Sequence, residues 1–434
     1  MKLFGTSGIR TVADRGLLQL ALKVGMAVGN IYSRVVVGSD TRTSNDAVKY
    51  ALISGLLAAG AEAYDGGVMP TPTLALAARE FTAGVMITAS HNPPQYNGLK
   101  LLNPDGSSFD SPQQQQIEEL ISSDALACAP WDKMAGYCVY SGAVTKHIER
   151  IREDFPERLK FKAVVDCGCA AASLVTPELL GRLGGEVISL NCTPSGCFPH
   201  PIEPIEANLG ELMQATKDSG ADIGIAHDGD ADRMMAIDER GRFIPGDKLL
   251  AILAQEAEGG RVVTTIDASM AIDEMGFEVV RTRIGDTWVS TELKRGGRFG
   301  GEPSGSWIFP AISLCPDGIY AAAKLAAIAS RQKISELVDR IPAYPVIRGA
   351  TSSEGVVMAQ LKQRLIALEP VSVSSFDGLN LSFADGQLLV RASGTEPKIR
   401  VRAEAKNKAR ARQLYEAGIE AIKECSKGRR VEVS

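Results

Sequence analysis

An apolar strand, a polar turn, a helix and a glycine-led second strand recur three times along this chain, and that β-α-β repeat restricts the fold more than any single motif. The first copy runs from Arg34-Val35-Val36-Val37-Gly38-Ser39-Asp40 through a helix over 47–59 to Gly60-Ala61-Glu62-Ala63-Tyr64. The second starts at Lys162-Ala163-Val164-Val165-Asp166, continues through a helix over 177–183 and returns at Gly184-Gly185-Glu186-Val187-Ile188. The third, shorter, goes from Arg261-Val262-Val263-Thr264-Thr265-Ile266-Asp267 to Gly276-Phe277-Glu278-Val279-Val280. Crossover helices make neighbouring strands parallel and cover both faces of the sheet, so functional loops are expected just after the carboxyl ends of apolar strands.

Beyond Arg340 the pattern changes. Ile341-Pro342-Ala343-Tyr344-Pro345 reads as a linker, because two prolines in four residues continue neither a helix nor a central strand. Strands then alternate around the hairpin signals Asp377-Gly378 and Asp385-Gly386, and a helix is predicted over 407–426. At 434 residues the chain exceeds one ordinary domain of roughly 100–200 residues. The reading is α/β: three related α/β domains with mixed, mostly parallel sheets over 1–134, 135–239 and 240–342, and a C-terminal α+β domain over 343–434.

With 45% hydrophobic and 23% charged residues, the composition is that of a soluble globular protein, and no apolar run is long enough to span a bilayer. Met1-Lys2-Leu3-Phe4-Gly5-Thr6 lacks the apolar core of a signal peptide, so a cytoplasmic location is expected. A net charge of −5 provides no basic field for nucleic acid or a membrane surface, and the expected partner is a small molecule. The eight cysteines form no CxxC pair and only four histidines are present to complete a zinc site, so they read as reduced thiols.

Four loops carry the chemistry. After the strand Gly84-Val85-Met86-Ile87-Thr88 comes Ala89-Ser90-His91-Asn92-Pro93-Pro94-Gln95-Tyr96-Asn97-Gly98-Leu99-Lys100, where small residues and prolines display a serine hydroxyl. Such a serine can carry an acyl or phosphoryl group, with His91 and Lys100 close enough to move a proton or steady negative charge. The alternative is an ordinary serine-capped loop. In the second, the strand Ala221-Asp222-Ile223-Gly224-Ile225-Ala226-His227 runs into Asp228-Gly229-Asp230-Ala231-Asp232-Arg233. In an extended backbone the three carboxylates project to one side and form a cage for a hard divalent cation. A calcium EF-hand also starts with alternating aspartates, but Arg233 stands where its turn glycine belongs, which favours magnesium with phosphate.

The third loop, Gly300-Gly301-Glu302-Pro303-Ser304-Gly305-Ser306-Trp307, places a carboxylate and a hydroxyl two residues apart, able to grip vicinal sugar hydroxyls or an amine; a plain turn is the alternative. In the fourth, Arg391-Ala392-Ser393-Gly394-Thr395-Glu396-Pro397-Lys398, two hydroxyls, a guanidinium and backbone amides around Gly394 suit phosphate oxygens. A hairpin with solvent-facing basic residues fits the same residues.

Taken in order, Gly5-Thr6-Ser7-Gly8-Ile9-Arg10, the Ser90 loop, the Asp228-Gly229-Asp230-Ala231-Asp232-Arg233 loop, the Glu302 loop and the Arg391 loop closely resemble the α-D-phosphohexomutase family over nearly the whole chain. The resemblance implies four domains around a central cleft, Ser90 as the phosphoserine, and Mg²⁺ held by Asp228, Asp230 and Asp232 with a phosphate oxygen on Ser90. It makes Arg10, His91, Lys100 and Arg233 the basic residues of the active site, with Lys100 the better general acid/base. Substrate contacts then fall to Thr6 and Ser7, to the sugar-reading pair Glu302 and Ser304, and to Arg391, Ser393, Gly394 and Thr395, the clamp for the phosphate not being transferred. Arg283 matches a position where lysine is usual, and guanidinium and ammonium differ in geometry.

The implied activity is a phosphosugar mutase interconverting glucosamine 6-phosphate and glucosamine 1-phosphate, activated by a hexose or hexosamine 1,6-bisphosphate, with a homodimer as a further expectation. Arg283-Ile284-Gly285-Asp286 resembles the glucosamine-preferring members, and Ser306-Trp307 the archaeal branch. A phosphomannomutase or phosphoglucomutase of the same family, a non-catalytic phosphosugar-binding protein and a hydrolase that discharges phosphoserine to water are the rival readings. A P-loop kinase is disfavoured, since no GxxxxGK follows a strand.

Overall fold

The computed structural model describes residues 2–5, 7–123, 125–258, 260–392 and 397–427. They form two compact units, Met1–Val263 with Gly285–Arg340, and Thr264–Ile284 with Ile341–Ser434.

The first unit is built on a six-stranded sheet in the spatial order Ile9–Val12, Tyr96–Leu102, Ala83–Ile87, Arg34–Ser39, Glu62–Val68, Tyr137–Val139. Its last four strands are mutually parallel, and Tyr96–Leu102 runs antiparallel to both neighbours. Alternation along the strands explains the layering. Val35, Val37, Val85 and Ile87 point to one face, where Leu17, Val24, Leu52 and Leu56 of the helices Arg15–Gly29 and Asn45–Ala58 cover them. Val36 and Met86 point to the other face, against Leu74 and Ala75 of the helix Thr71–Ala77. Each such buried aliphatic side chain contributes about 1.5–3 kcal/mol relative to exposure. The edge strand Tyr137–Val139 carries this sheet past residue 134.

A second sheet in the same unit has the order Met234–Asp238, Ile223–His227, Lys162–Asp166, Glu186–Leu190, parallel except for the first strand. The repeat helices form at Asn45–Ala58 and Thr176–Arg182, within two residues of expectation. An antiparallel hairpin joins Phe299–Glu302 to Ser306–Ile308. In the third repeat the crossover is a 3-10 helix, Met270–Met275, because Ser269 caps it and Gly276, at φ 81°, ends it after six residues. That repeat is shared between the units.

The second unit carries a five-stranded antiparallel sheet in the order Val346–Ser352, Lys398–Ala405, Gly386–Ala392, Leu379–Phe383, Ser372–Ser374. Leu388, Val390, Val401 and Ala403 on one face pack with Leu361 and Leu365 of the helix Met358–Ile366 and with Leu414 and Ile422 of Lys408–Lys427. The hairpin turns fall at the two expected Asp-Gly pairs, and 342–345 has no regular structure. Among the described residues, no helix is long and apolar enough to cross a membrane.

Candidate active site

The Ser90 loop starts where the parallel strand Ala83–Ile87 ends, at the edge where a sheet of this kind presents its ligands. Ser90 itself lies at φ 51°, a left-handed conformation that a residue with a Cβ holds only when its surroundings enforce it. Arg42 enforces it. Its buried guanidinium donates to the carbonyl oxygens of Ser90 (2.7 Å), Asn92 (2.7 Å), Pro93 (2.8 Å) and Tyr96 (2.9 Å), and Nε donates to Asp40 Oδ2 (3.1 Å). Asp40 also accepts from the hydroxyl of Thr88 (2.6 Å), and that oxygen in turn accepts from the Ser90 amide (2.8 Å). The charge pair is thus fully hydrogen-bonded out of water, the condition under which burial is tolerated.

Asp40, Arg42 and Thr88 were not among the expected site residues, although a charged pair placed directly after the apolar strand Arg34–Ser39 was visible in the sequence. A lysine at position 42 keeps the charge but not the fork that reaches several carbonyls. Arg42→Lys is therefore expected to lower stability by about 3 kcal/mol, since each stranded buried carbonyl costs about 1 kcal/mol or more. An unchanged denaturant midpoint in urea unfolding would contradict this role.

The aspartate triad does converge, but by a different route from the extended strand expected. Residues 228–233 form a turn, in which Ala231 adopts φ 56° and folds the chain back so that one oxygen each of Asp228, Asp230 and Asp232 lies within 4.8 Å of the others. A strand would have spread alternate carboxylates over roughly 7 Å steps. Ser90 Oγ donates to Asp228 Oδ2 at 2.6 Å, so the displayed hydroxyl sits on the triad. Gly229 makes this approach feasible: a Cβ there would stand 2.5 Å from the carbonyl oxygen of Ser90.

Lys100 Nζ donates to Asp230 and Asp232, and the Thr71 hydroxyl donates to Asp230. Asp230 Oδ1 and Asp232 Oδ1 are buried with no hydrogen-bond partner. Two orphaned anionic oxygens beside a third carboxylate and a serine oxygen make the donor set of a hard divalent cation. Electrostatics agree with the geometry. Burial, then Asp232 and Asp230, push Asp228 well above the ordinary carboxylate range. Burial acts the same way on Asp230, but Lys100 outweighs it and draws that group down to about 2. For Lys100, burial opposes the charge and the two aspartates overcome it, so its ammonium is held more firmly than usual.

The remaining basic residues surround this point. Arg10 NH1 lies 3.4 Å from Asn92 Oδ1, and its buried Nε has no partner. His91 Nδ1 is 3.4 Å from Ser90 Oγ, and burial together with Arg233 and Arg10 lowers its pKa to about 3, leaving the ring neutral. Burial works against the Arg233 charge, but Asp228 and Asp232 raise its pKa. Ser7 donates to Asp286 Oδ1 (2.7 Å), which places the N-terminal loop against the helix Asp286–Leu293. Glu302 Oε1 accepts from the Gly285 amide (2.6 Å), and its Oε2 lies 3.4 Å from the Ser304 hydroxyl.

The second unit brings its two expected residues to one turn: Arg283 Nε donates to the Phe376 carbonyl (2.7 Å) and Arg391 Nε to Asp377 Oδ1 (2.8 Å). Thr6, Ser393, Gly394 and Thr395 lie outside the described residues.

A serine seated on a carboxylate triad at the strand ends of α/β sheets is the arrangement of an enzyme class that handles phosphoryl groups. Comparison narrows this. Four descriptions match in succession: phosphoglucomutase/phosphomannomutase alpha/beta/alpha domains I (1–127), II (139–241) and III (245–344), and the C-terminal domain (353–421). The chain is 46% identical to a probable phosphoglucosamine mutase of Methanosarcina acetivorans over 98% of its length and 100% of that protein. It is 40% identical to a phosphoglucosamine mutase of Methanococcus maripaludis, over 98% and 99%. A phosphoglucomutase/phosphomannomutase family protein from Burkholderia thailandensis superposes with a TM-score of 0.87 at 28% identity, each chain covered to 98%. The chain belongs to the phosphoglucomutase/phosphomannomutase family of α-D-phosphohexomutases, and the expected fold class is that family's.

Proposed function

We propose that this protein interconverts glucosamine 6-phosphate and glucosamine 1-phosphate by passing a phosphoryl group through Ser90. The observation that carries the reading is the 2.6 Å contact of Ser90 Oγ with a triad in which Asp230 and Asp232 each keep a partnerless buried oxygen. The relatives named for glucosamine phosphate support the sugar. Mg²⁺ on Asp228, Asp230 and Asp232 would neutralise charge on the phosphoryl group.

In the transfer step the P–Oγ bond of Ser90 breaks as a P–O bond to the sugar hydroxyl forms, the sugar proton passes to a base, and the freed Oγ takes up a proton. The bisphosphate so formed turns over and returns its other phosphate to Ser90. Arg10 and Arg233 steady the negative charge, and neutral His91 can share a proton with Ser90 Oγ. Lys100 is the acid/base residue of this proposal. Paired with two aspartates its ammonium holds its proton firmly, so it exchanges a proton with the reacting oxygen only when those carboxylates are engaged elsewhere. Glu302 and Ser304 read the sugar, while Arg283 and Arg391, with Ser393, Gly394 and Thr395, hold the phosphate that stays behind. A sugar 1,6-bisphosphate primes Ser90.

The test compares turnover of glucosamine, glucose and mannose monophosphates with Mg²⁺ and a trace of bisphosphate. Preference in kcat/KM for the glucosamine ester is expected. Faster conversion of glucose or mannose phosphate would move the assignment to those sugars, and phosphate release outrunning isomer formation would make the protein a hydrolase.

A further inference from the structure

The C-terminal sheet has one face under helices and another that gathers positive charge. Arg400 stands directly opposite Arg391 on one neighbouring strand, and Arg402 directly opposite Arg348 on the other. Residues 400 and 402 share a face, as do 389 and 391, and 348 and 350, so the four guanidiniums form one array over three adjacent strands. Like charges placed directly opposite each other weaken a β ladder, and a sheet does not collect two such pairs for its own stability.

The array lines a cavity of about 440 Å³ within the second unit, together with Asp267 and Ile284. Nearby carboxylates are partly engaged. Asp377 takes Arg391 (2.8 Å), and Glu404, which accepts one nitrogen of Arg402 (3.2 Å), is shared with the Ser269 hydroxyl and the Met270 amide. Asp267 accepts from the Thr265 hydroxyl (2.6 Å). Arg402 is only 7% exposed, and its Nε is buried without a hydrogen-bond partner.

We propose that this arginine face binds a small molecule carrying two phosphate groups. A guanidinium grips phosphate oxygens bidentately, and two of them side by side balance the charge of a single phosphate ester. The second pair lies roughly 7 Å further along the strands, the spacing of alternate residues, which suits a second phosphate on the same ligand. Arg391 is the point of contact with the proposed clamp; Arg348, Arg400 and Arg402 extend it to a place assigned to nothing else. The ligand this protein would itself generate is the sugar bisphosphate, and for that identity the inference rests on the function proposed above.

Titration calorimetry of the full chain in metal-free buffer tests it, with glucose 1,6-bisphosphate and orthophosphate as probes. The wild type is expected to bind the bisphosphate about tenfold or more tightly than orthophosphate. Arg348→Gln combined with Arg400→Gln replaces two exposed strand residues, and should weaken bisphosphate binding by about tenfold or more with an unchanged circular dichroism spectrum. Equal bisphosphate affinity in the double variant and the wild type, no preference over orthophosphate, or no binding at all would overturn the proposal. Loss of binding in the variant alongside no turnover of any phosphosugar by the wild type would sink the mutase reading and leave this site standing.

Discussion

Ser90→Ala is expected to reduce phosphosugar conversion by on the order of 10⁴-fold or more, because the methyl group left at position 90 cannot carry a phosphoryl group. The fold should survive. The loop is held by Arg42 through four backbone carbonyls and by Thr88 through the Ser90 amide, none of which involves the serine side chain. The variant loses one hydrogen bond to Asp228, a change of about 1–2 kcal/mol. Thermal unfolding within a few degrees of wild type, together with the absence of isomer formation, is the expected pair of results. Conversion at the wild-type rate would remove Ser90 from the mechanism.

The second large effect separates two members of the triad. Asp228 is engaged by the Ser90 hydroxyl and the Arg233 amide (3.2 Å), whereas Asp230 is bonded to Lys100 and Thr71. Asn at position 228 can keep its oxygen on the Arg233 amide while its NH2 group donates to the Ser90 hydroxyl, which can turn to accept, so Asp228→Asn should leave metal-free stability nearly unchanged. Asp230→Asn takes one of two ion pairs from a buried lysine and is expected to lower metal-free stability by about 3 kcal/mol. Both variants should lose on the order of 10³-fold in Mg²⁺-dependent turnover and most of the rise in Tm that Mg²⁺ confers. A full Mg²⁺-induced shift in either variant would mean that the cation is held elsewhere.

Most of this site was legible because chemistry and position coincide in the chain. Ser90 and the three aspartates follow apolar strands, which is where a sheet of crossover units exposes its loops, Glu302 ends the strand Phe299–Glu302, and in the second unit Arg391 lies near the end of an apolar antiparallel strand. The supports were harder to read. Arg42 acts on a loop some fifty residues away, and Thr71 on an aspartate 159 residues away, so neither role has a local pattern to betray it. The extended geometry expected for 228–233 failed for a related reason. Ala231 has no local preference for φ 56°, and the conformation holds only inside the folded protein.

What the amino-acid order determined by itself was periodicity and residue chemistry: three strand-helix-strand units, a differently built tail, and the kinds of group placed at the strand ends. Tertiary structure alone decided which groups meet. It set Ser90 on Asp228, locked Lys100 between two carboxylates and stacked arginines from three strands on one face. The division has a physical origin: strand and helix propensities act over a few neighbouring residues, while electrostatic pairing and burial act through space between segments that only the packed core brings together.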